Sequence, residues 1–246
     1  MVNSIEPLRH VLSVPPHFLP LHPEVGPYAG AWNSAPFGLF YLNTLFMASA
    51  IVLGQLVTST LAAYALTWLR IPGRQAVFFL ILIGLMVPEQ LTVVPVFLEM
   101  RTLGWINSYQ GLIVPFLGSA FGIFLLRQSF LQIPLPLIEA AKVDGASRLQ
   151  ILTRVILPNS KSALITLAIL NFIWHYNDFF WPLIITNTNH YRTLAVGLSM
   201  FFQSGSGLTP WNQLMAADVF IAVPLFLLFF LGQRYLVQGV MTSGIK

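Results

Sequence analysis

Between positions 38 and 69 the chain carries no Asp, Glu, Lys or Arg. That run is longer than the roughly 20 apolar residues needed to cross the hydrocarbon of a bilayer. It predicts a transmembrane helix that tilts or projects beyond the membrane. The rest of the chain repeats the pattern less purely. Hydrophobic residues make up 56% of the 246 positions and charged residues 8%, against about a quarter charged in soluble domains. So few charges cannot cover a water-soluble protein of this size. The apolar runs are continuous and not alternating, which predicts helices and excludes a barrel. The expected fold class is an all-α polytopic membrane protein with about five transmembrane helices.

Spans are expected at residues 38–69, 75–98, 109–126, 163–185 and 214–231. In the first, Ser49, Gly54, Ser59, Ala62 and Ala63 allow close helix packing, and Thr60 and Tyr64 read as packing residues. The second contains Pro88, Glu89, Gln90 and Pro95, so its distal part should be broken or kinked. Residues 186–212 form a polar loop with a short surface helix expected near 194–202. Asp218, opening the last span, reads as interfacial. Residues 1–36 are proline-rich and read as an irregular external or interfacial segment without the basic-then-apolar pattern of a signal peptide. Residues 37–246 then form the transmembrane domain.

The chain has no cysteine, so disulfides and thiolate metal sites are excluded. It has no G-x-x-x-x-G-K-[ST] phosphate loop, no H-E-x-x-H and no G-x-S-x-G. Its five histidines (His10, His17, His22, His175 and His190) are dispersed. No enzyme activity, metal, bound cofactor or nucleic-acid partner is expected.

One long polar interval, residues 138–164, interrupts the apolar sequence. It reads as two short amphipathic helices joined at a glycine. Pro134 and Pro136 suit the start of the first helix, with Glu139 in its first turn complementing the helix dipole. Gly145 is suited to a left-handed end. Ser147 caps the second helix, whose Leu149, Ile151, Leu152, Val155 and Ile156 fall mostly on one face. Such a polar knuckle between spans suits docking of another protein.

Within it, Glu139-Ala140-Ala141, Asp144-Gly145-Ala146 and Val155-Ile156-Leu157-Pro158 resemble the EAA loop of ABC importer permeases. The resemblance implies a coupling loop, here residues 127–162, seated in a cleft of a cytoplasmic ATPase. The coupling residues it implies are Glu139, Ala140, Ala141, Asp144, Gly145, Ala146, Leu157 and Pro158. With that loop inside, nine of the twelve Lys and Arg residues are cytoplasmic: Arg70, Arg74, Arg127, Lys142, Arg148, Arg154, Lys161, Arg234 and Lys246. Only Arg9, Arg101 and Arg192 lie outside, so the charge bias agrees with the motif. The C-terminus is then cytoplasmic, with the tail from Val237 expected to reach the ATPase. The N-terminus is external.

Ionisable groups within spans must face protein or water. Two clusters follow: Glu89 with Gln90, and Trp174, Asn177 and Asp178 beside Trp181. Aromatic faces with amides and carboxylates suit sugar-like ligands. The other reading places Glu89, Asp178 and Trp181 at the outer interface as anchors. Leu42-Asn43-Thr44, Ile71-Pro72-Gly73-Arg74, Met86-Val87-Pro88, residues 121–128, Trp181-Pro182 and Gln233-Arg234-Tyr235 extend the resemblance. From Pro36 onward the chain looks like the carbohydrate-uptake branch of these permeases, of the maltose (MalG) type. Asn33-Ser34-Ala35-Pro36-Phe37 and Val87-Pro88-Glu89-Gln90 also look like glycerol-3-phosphate permeases.

The resemblance implies a heterodimer with a second permease, two ABC ATPase subunits holding ATP and Mg, an external solute-binding protein and membrane lipid. The setting is a bacterial or archaeal inner membrane. The family's first helix is expected to be missing here, the chain being either a natural five-span form or one whose start lies upstream. A passive channel, a polytopic membrane enzyme and an accessory or truncated non-transporting subunit stay open as alternatives. Replacing Gly145 with a bulky residue is expected to uncouple uptake while leaving the protein in the membrane fraction; normal uptake would refute the coupling role.

Overall fold

The structure is a computed structural model that describes residues 2–7, 23–200 and 211–244, with side chains described as far as Arg234. Every regular element among these residues is helical. In chain order, a 3-10 turn at Val2–Ile5 is followed by α1 (Gly26–Asn33), α2 (Phe37–Trp68), α3 (Arg74–Leu85) and α4 (Glu89–Thr102). Next come α5 (Tyr109–Ile113) with a 3-10 turn at Val114–Phe116, α6 (Ala120–Leu131) and α7 (Leu135–Val143). Then α8 (Arg148–Ile151), a π turn (Leu152–Ile156) and α9 (Leu157–Asn159) lead into α10 (Lys161–Tyr176). The chain continues through α11 (Phe180–Ile185) and α12 (Leu194–Ser199) to α13 (Trp211–Gly244).

Two helices, Phe37–Trp68 and the Trp211–Arg234 part of α13, are each long and apolar enough to cross a membrane. Counting each bent pair as one span gives up to five among the described residues. The second span is broken as its prolines require: α3 and α4 meet at 98°, with residues 86–88 between them and Pro95 inside α4. The third bends by 42° between Tyr109–Phe116 and Ala120–Leu131, where Pro115 and Gly118 stand.

The fourth differs from expectation: the bent pair counted there is Arg148–Asn159 with Lys161–Tyr176, at 78°, so it begins within the polar interval. Its helix ends at Tyr176, the chain breaks at residues 177–179, and α11 starts afresh. Asp178 causes this locally: its Oδ1 accepts from the Phe180 N–H at 3.1 Å and the Trp181 N–H at 3.4 Å. Asp competes for backbone donors in this way and so favours helix starts over interiors. Three further corrections concern the ends and a loop. Part of the 1–36 segment is helical: Pro27 stands in the first turn of α1, and Tyr28 and Trp32 pack edge-on to Phe220. The tail beyond Gln233-Arg234-Tyr235 continues α13 to Gly244. The helix in the 186–212 loop is not superficial: Leu194 and Val196 are buried, and a Cβ at Gly197 would strike the Phe40 ring. Residues 8–22 and 201–210 lie outside the described residues.

The contacts divide the chain into two units. In residues 1–48, 100–112 and 176–228, α2 supplies the fastening groups. Asn43 Nδ2 donates to the carbonyls of His190 (2.8 Å) and Arg192 (2.9 Å), and Tyr109 donates to Asn43 Oδ1 at 2.6 Å. Thr44 Oγ1 accepts from the Leu194 N–H at 2.8 Å. Trp181 Nε1 donates to the Gly111 carbonyl at 3.0 Å, where a Cβ on Gly111 would collide with the Trp105 carbonyl oxygen.

In residues 49–99, 113–175 and 229–246, the core joins α2, α6, the 127–162 loop and α10 through Ala63, Leu126, Phe130, Ile138, Ile156 and Leu167. The bend at residues 117–119 leaves carbonyls outside the helical ladder, and α2 satisfies them. Gln55 Nε2 donates to Phe116 O at 2.7 Å, and Thr58 Oγ1 to Leu117 O at 2.7 Å. Ser59 makes a longer contact, 3.4 Å, to Ser119 O. Asn171 Nδ2 donates to Gln55 Oε1, which fixes the orientation of that amide. Gln55 Nε2 therefore donates to His175 Nε2 at 3.1 Å, and the His175 proton sits on Nδ1. Gln55→Leu removes a hydrogen bond from each of the three groups, at about 1–3 kcal/mol for a buried polar group that loses its partner, as His175 would. A lowered Tm of the detergent-purified protein is expected, and an unchanged Tm would show that the node does not hold the bend.

Candidate functional site

The polar interval folds as two helices with a glycine between them. Helix α7 starts after Pro134, with Pro136 in its first turn, and Glu139 lies one position beyond that turn, later than expected. It ends in a Schellman arrangement: Gly145 N–H donates to Lys142 O (3.1 Å) and Ala146 N–H to Ala141 O (3.0 Å). Gly145 has φ +77°, the left-handed region, which costs an L-residue roughly 1–2 kcal/mol. A Cβ there would meet no atom of this chain within 4 Å. Ser147 caps α8 in a full capping box with Gln150.

Burial sorts the residues of this loop. Ile138, Ile151, Leu152 and Ile156 are buried in the core, with Ala141, Ala146, Val155 and Leu157 packed against it. Glu139, Ala140, Lys142, Asp144 and Pro158 are exposed. Val143 is 87% exposed and Leu149 66%, so Leu149 leaves the apolar face assigned to it. A loop that presents large apolar side chains among charges has the composition of an interaction surface. The π turn Leu152–Ile156 carried no readable signal in the sequence. Neither did the contact that fixes the loop to α2, Tyr64 Oη donating to Arg148 O at 3.2 Å.

The candidate path residues are positioned as follows. Glu89 and Gln90 occupy the first turn of α4, just beyond the 98° elbow, and both are exposed. Trp174, on α10, is 66% exposed. Asn177 is exposed in the break, while Asp178 is partly buried and caps α11. Trp181 is buried and bonded to Gly111, a packing role. Residues 186–188 are clamped by Asn107, itself at φ 56°. Its Oδ1 accepts from Asn187 N (2.9 Å), Thr188 N (3.0 Å) and Thr188 Oγ1 (3.1 Å), and its N–H donates to Ile185 O. Gln55, Asn171 and Asn107 were not singled out in the sequence. An uncharged amide in a charge-free run was the available signal for Gln55.

Residues 55–242 match the profile of the family described as binding-protein-dependent transport system inner membrane component. The sn-glycerol-3-phosphate transport system permease protein UgpE of Pectobacterium atrosepticum is 38% identical over 211 residues, 86% of this chain and 75% of the relative. The Salmonella typhi protein of the same name shows the same identity and coverage. Among solved structures, a bacterial ABC transporter involved in the import of the acidic polysaccharide alginate aligns with a TM-score of 0.83 at 27% identity. The alignment covers 95% of this chain and 87% of that one. The MetNI methionine ABC transporter, at 21% identity and a TM-score of 0.64, covers 82% of this chain and 95% of its own and shares the fold. An all-helical chain with broken spans, matched along most of its length by permeases, belongs to the binding-protein-dependent transport system inner membrane component family and is the permease subunit of an ABC importer.

Proposed function

We propose that this permease forms the transmembrane path for a small polyhydroxylated anion of the glycerol phosphate class, within a branch that also takes sugars and polyols. What supports this reading is the 38% identity, over 86% of the chain, to permeases named for sn-glycerol-3-phosphate transport. The structural likeness to an importer of an acidic polysaccharide points to the same chemistry, hydroxyls with negative charge. Glu89, Gln90, Trp174, Asn177 and Asp178 are the candidates for substrate contact.

In this reading a second permease completes a heterodimer, two cytoplasmic ATPase subunits hold ATP and Mg, and an external binding protein delivers the solute. The 127–162 loop and the C-terminus are cytoplasmic. ATP-driven closure of the ATPases moves the helix around Glu139 to Gly145, and the spans alternate between outward and inward access. Glu139 is suited to pair with a basic residue of the ATPase. The exposed Val143 and Leu149 give that contact an apolar centre, and the open space around Gly145 lets a partner backbone approach.

The chain is to be co-expressed with its neighbouring permease and ATPase, reconstituted, and assayed for ATP hydrolysis with the binding protein presenting glycerol 3-phosphate, maltose or nothing. Stimulation by glycerol 3-phosphate is the expected result. Stimulation by maltose alone would move the substrate to neutral sugars. Failure to assemble with an ATPase would overturn the partnership.

A further inference from the structure

Three arginines of the second unit form no ion pair with an Asp or Glu among the described residues. Arg70 is exposed just before the Pro72-Gly73 turn, where Gly73 has φ +73°. Arg74 starts α3 and donates from one guanidinium nitrogen to Thr67 O at 3.2 Å. Arg127, on α6, lays its guanidinium over the Phe78 ring, with Cζ 4.0 Å from the centroid. Phe124 stacks on Phe78 at 6.4 Å and 12°. Phe78 lies one helical turn beyond Arg74, so Arg74 and Arg127 address one face of α3, and the two like charges repel. The Nε of Arg127 is buried and has no hydrogen-bond partner.

A partly buried guanidinium beside a second cation, with no carboxylate paired to either among the described residues, calls for an anion. Beyond these arginines α3 turns an apolar surface outward, since Val77, Phe79, Leu80 and Ile83 are all exposed. Cations at the start of a helix whose exposed side chains are apolar match a phospholipid, phosphate at the arginines and acyl chain along α3. The bond from Tyr64 to Arg148 sets this end of α2 beside the 127–162 loop. We propose that Arg70, Arg74 and Arg127 bind the headgroup phosphate of an anionic phospholipid. The planar Arg127, held flat by Phe78, supplies paired donors to its oxygens.

The test uses the intact transporter, purified, delipidated and titrated with vesicles of phosphatidylglycerol or phosphatidylcholine, with retained lipid read by native mass spectrometry. The wild type should retain phosphatidylglycerol preferentially. Each of Arg70→Gln, Arg74→Gln and Arg127→Gln should lower that retention about fivefold, as expected for one cation near an anionic surface. Arg101→Gln removes a charge from the other unit and should change nothing. Should one variant fail to assemble, the other two still decide. Equal retention of the two lipids, or a preference that survives the substitutions, would overturn the proposal. Retention only after the ATPases are stripped away would also overturn it, since an acidic partner surface would then be the occupant.

Discussion

Inside a bilayer no water is available to an unpaired backbone group, so every interruption of a helix must be satisfied by the protein itself. This chain interrupts its helices at residues 86–88, 117–119 and 177–179. At 117–119 the polar side chains of α2 satisfy the exposed carbonyls through Gln55 and Thr58. At 177–179 the chain satisfies itself, through the Asp178 carboxylate. Helix α2 is thus less a plain membrane anchor than a ruler. Its exposed Leu42, Phe46, Leu53, Val57 and Leu61 suit lipid, while its amides and hydroxyls, Asn43, Thr44, Gln55 and Thr58, fix the loops.

The polar knuckle was the most legible part of the molecule because its signals are local. Two prolines, a glycine and a serine each dictate backbone geometry without help from distant residues. They duly produce a helix start, a left-handed stop and a capping box. The π turn that follows was not legible. A five-residue variant of helical hydrogen bonding leaves the same apolar periodicity as an α-helix over so short a stretch. Leu149 was misplaced for a related reason: a helix with a π turn in its path does not keep one continuous face.

The spans are legible by composition and the break in the second by proline; the 42° bend in the third is not, and the fourth reads as continuous through Asn177-Asp178 because hydrophobicity resumes at once on the far side. There the capping preference of Asp outweighs the apolar run. The candidate path residues are carboxylates, amides and an aromatic ring recognisable by type within or beside a span. The structure shows uncharged amides at Asn43, Gln55 and Asn107 tying distant segments together. Their importance is a matter of long-range contact, which no local pattern encodes.

Most of those amide and hydroxyl bonds end on main-chain atoms: the carbonyls of Phe116, Leu117, His190 and Arg192, and the N–H groups of Asn187, Thr188 and Leu194. A carbonyl is the same acceptor whichever residue bears it. Exposed residues of the tethered loops, such as Asn187, are therefore free to change without loosening that fastening. Diversification can act on the outward decoration of those loops while their course through space stays constant, as suits a scaffold reused for many different cargoes.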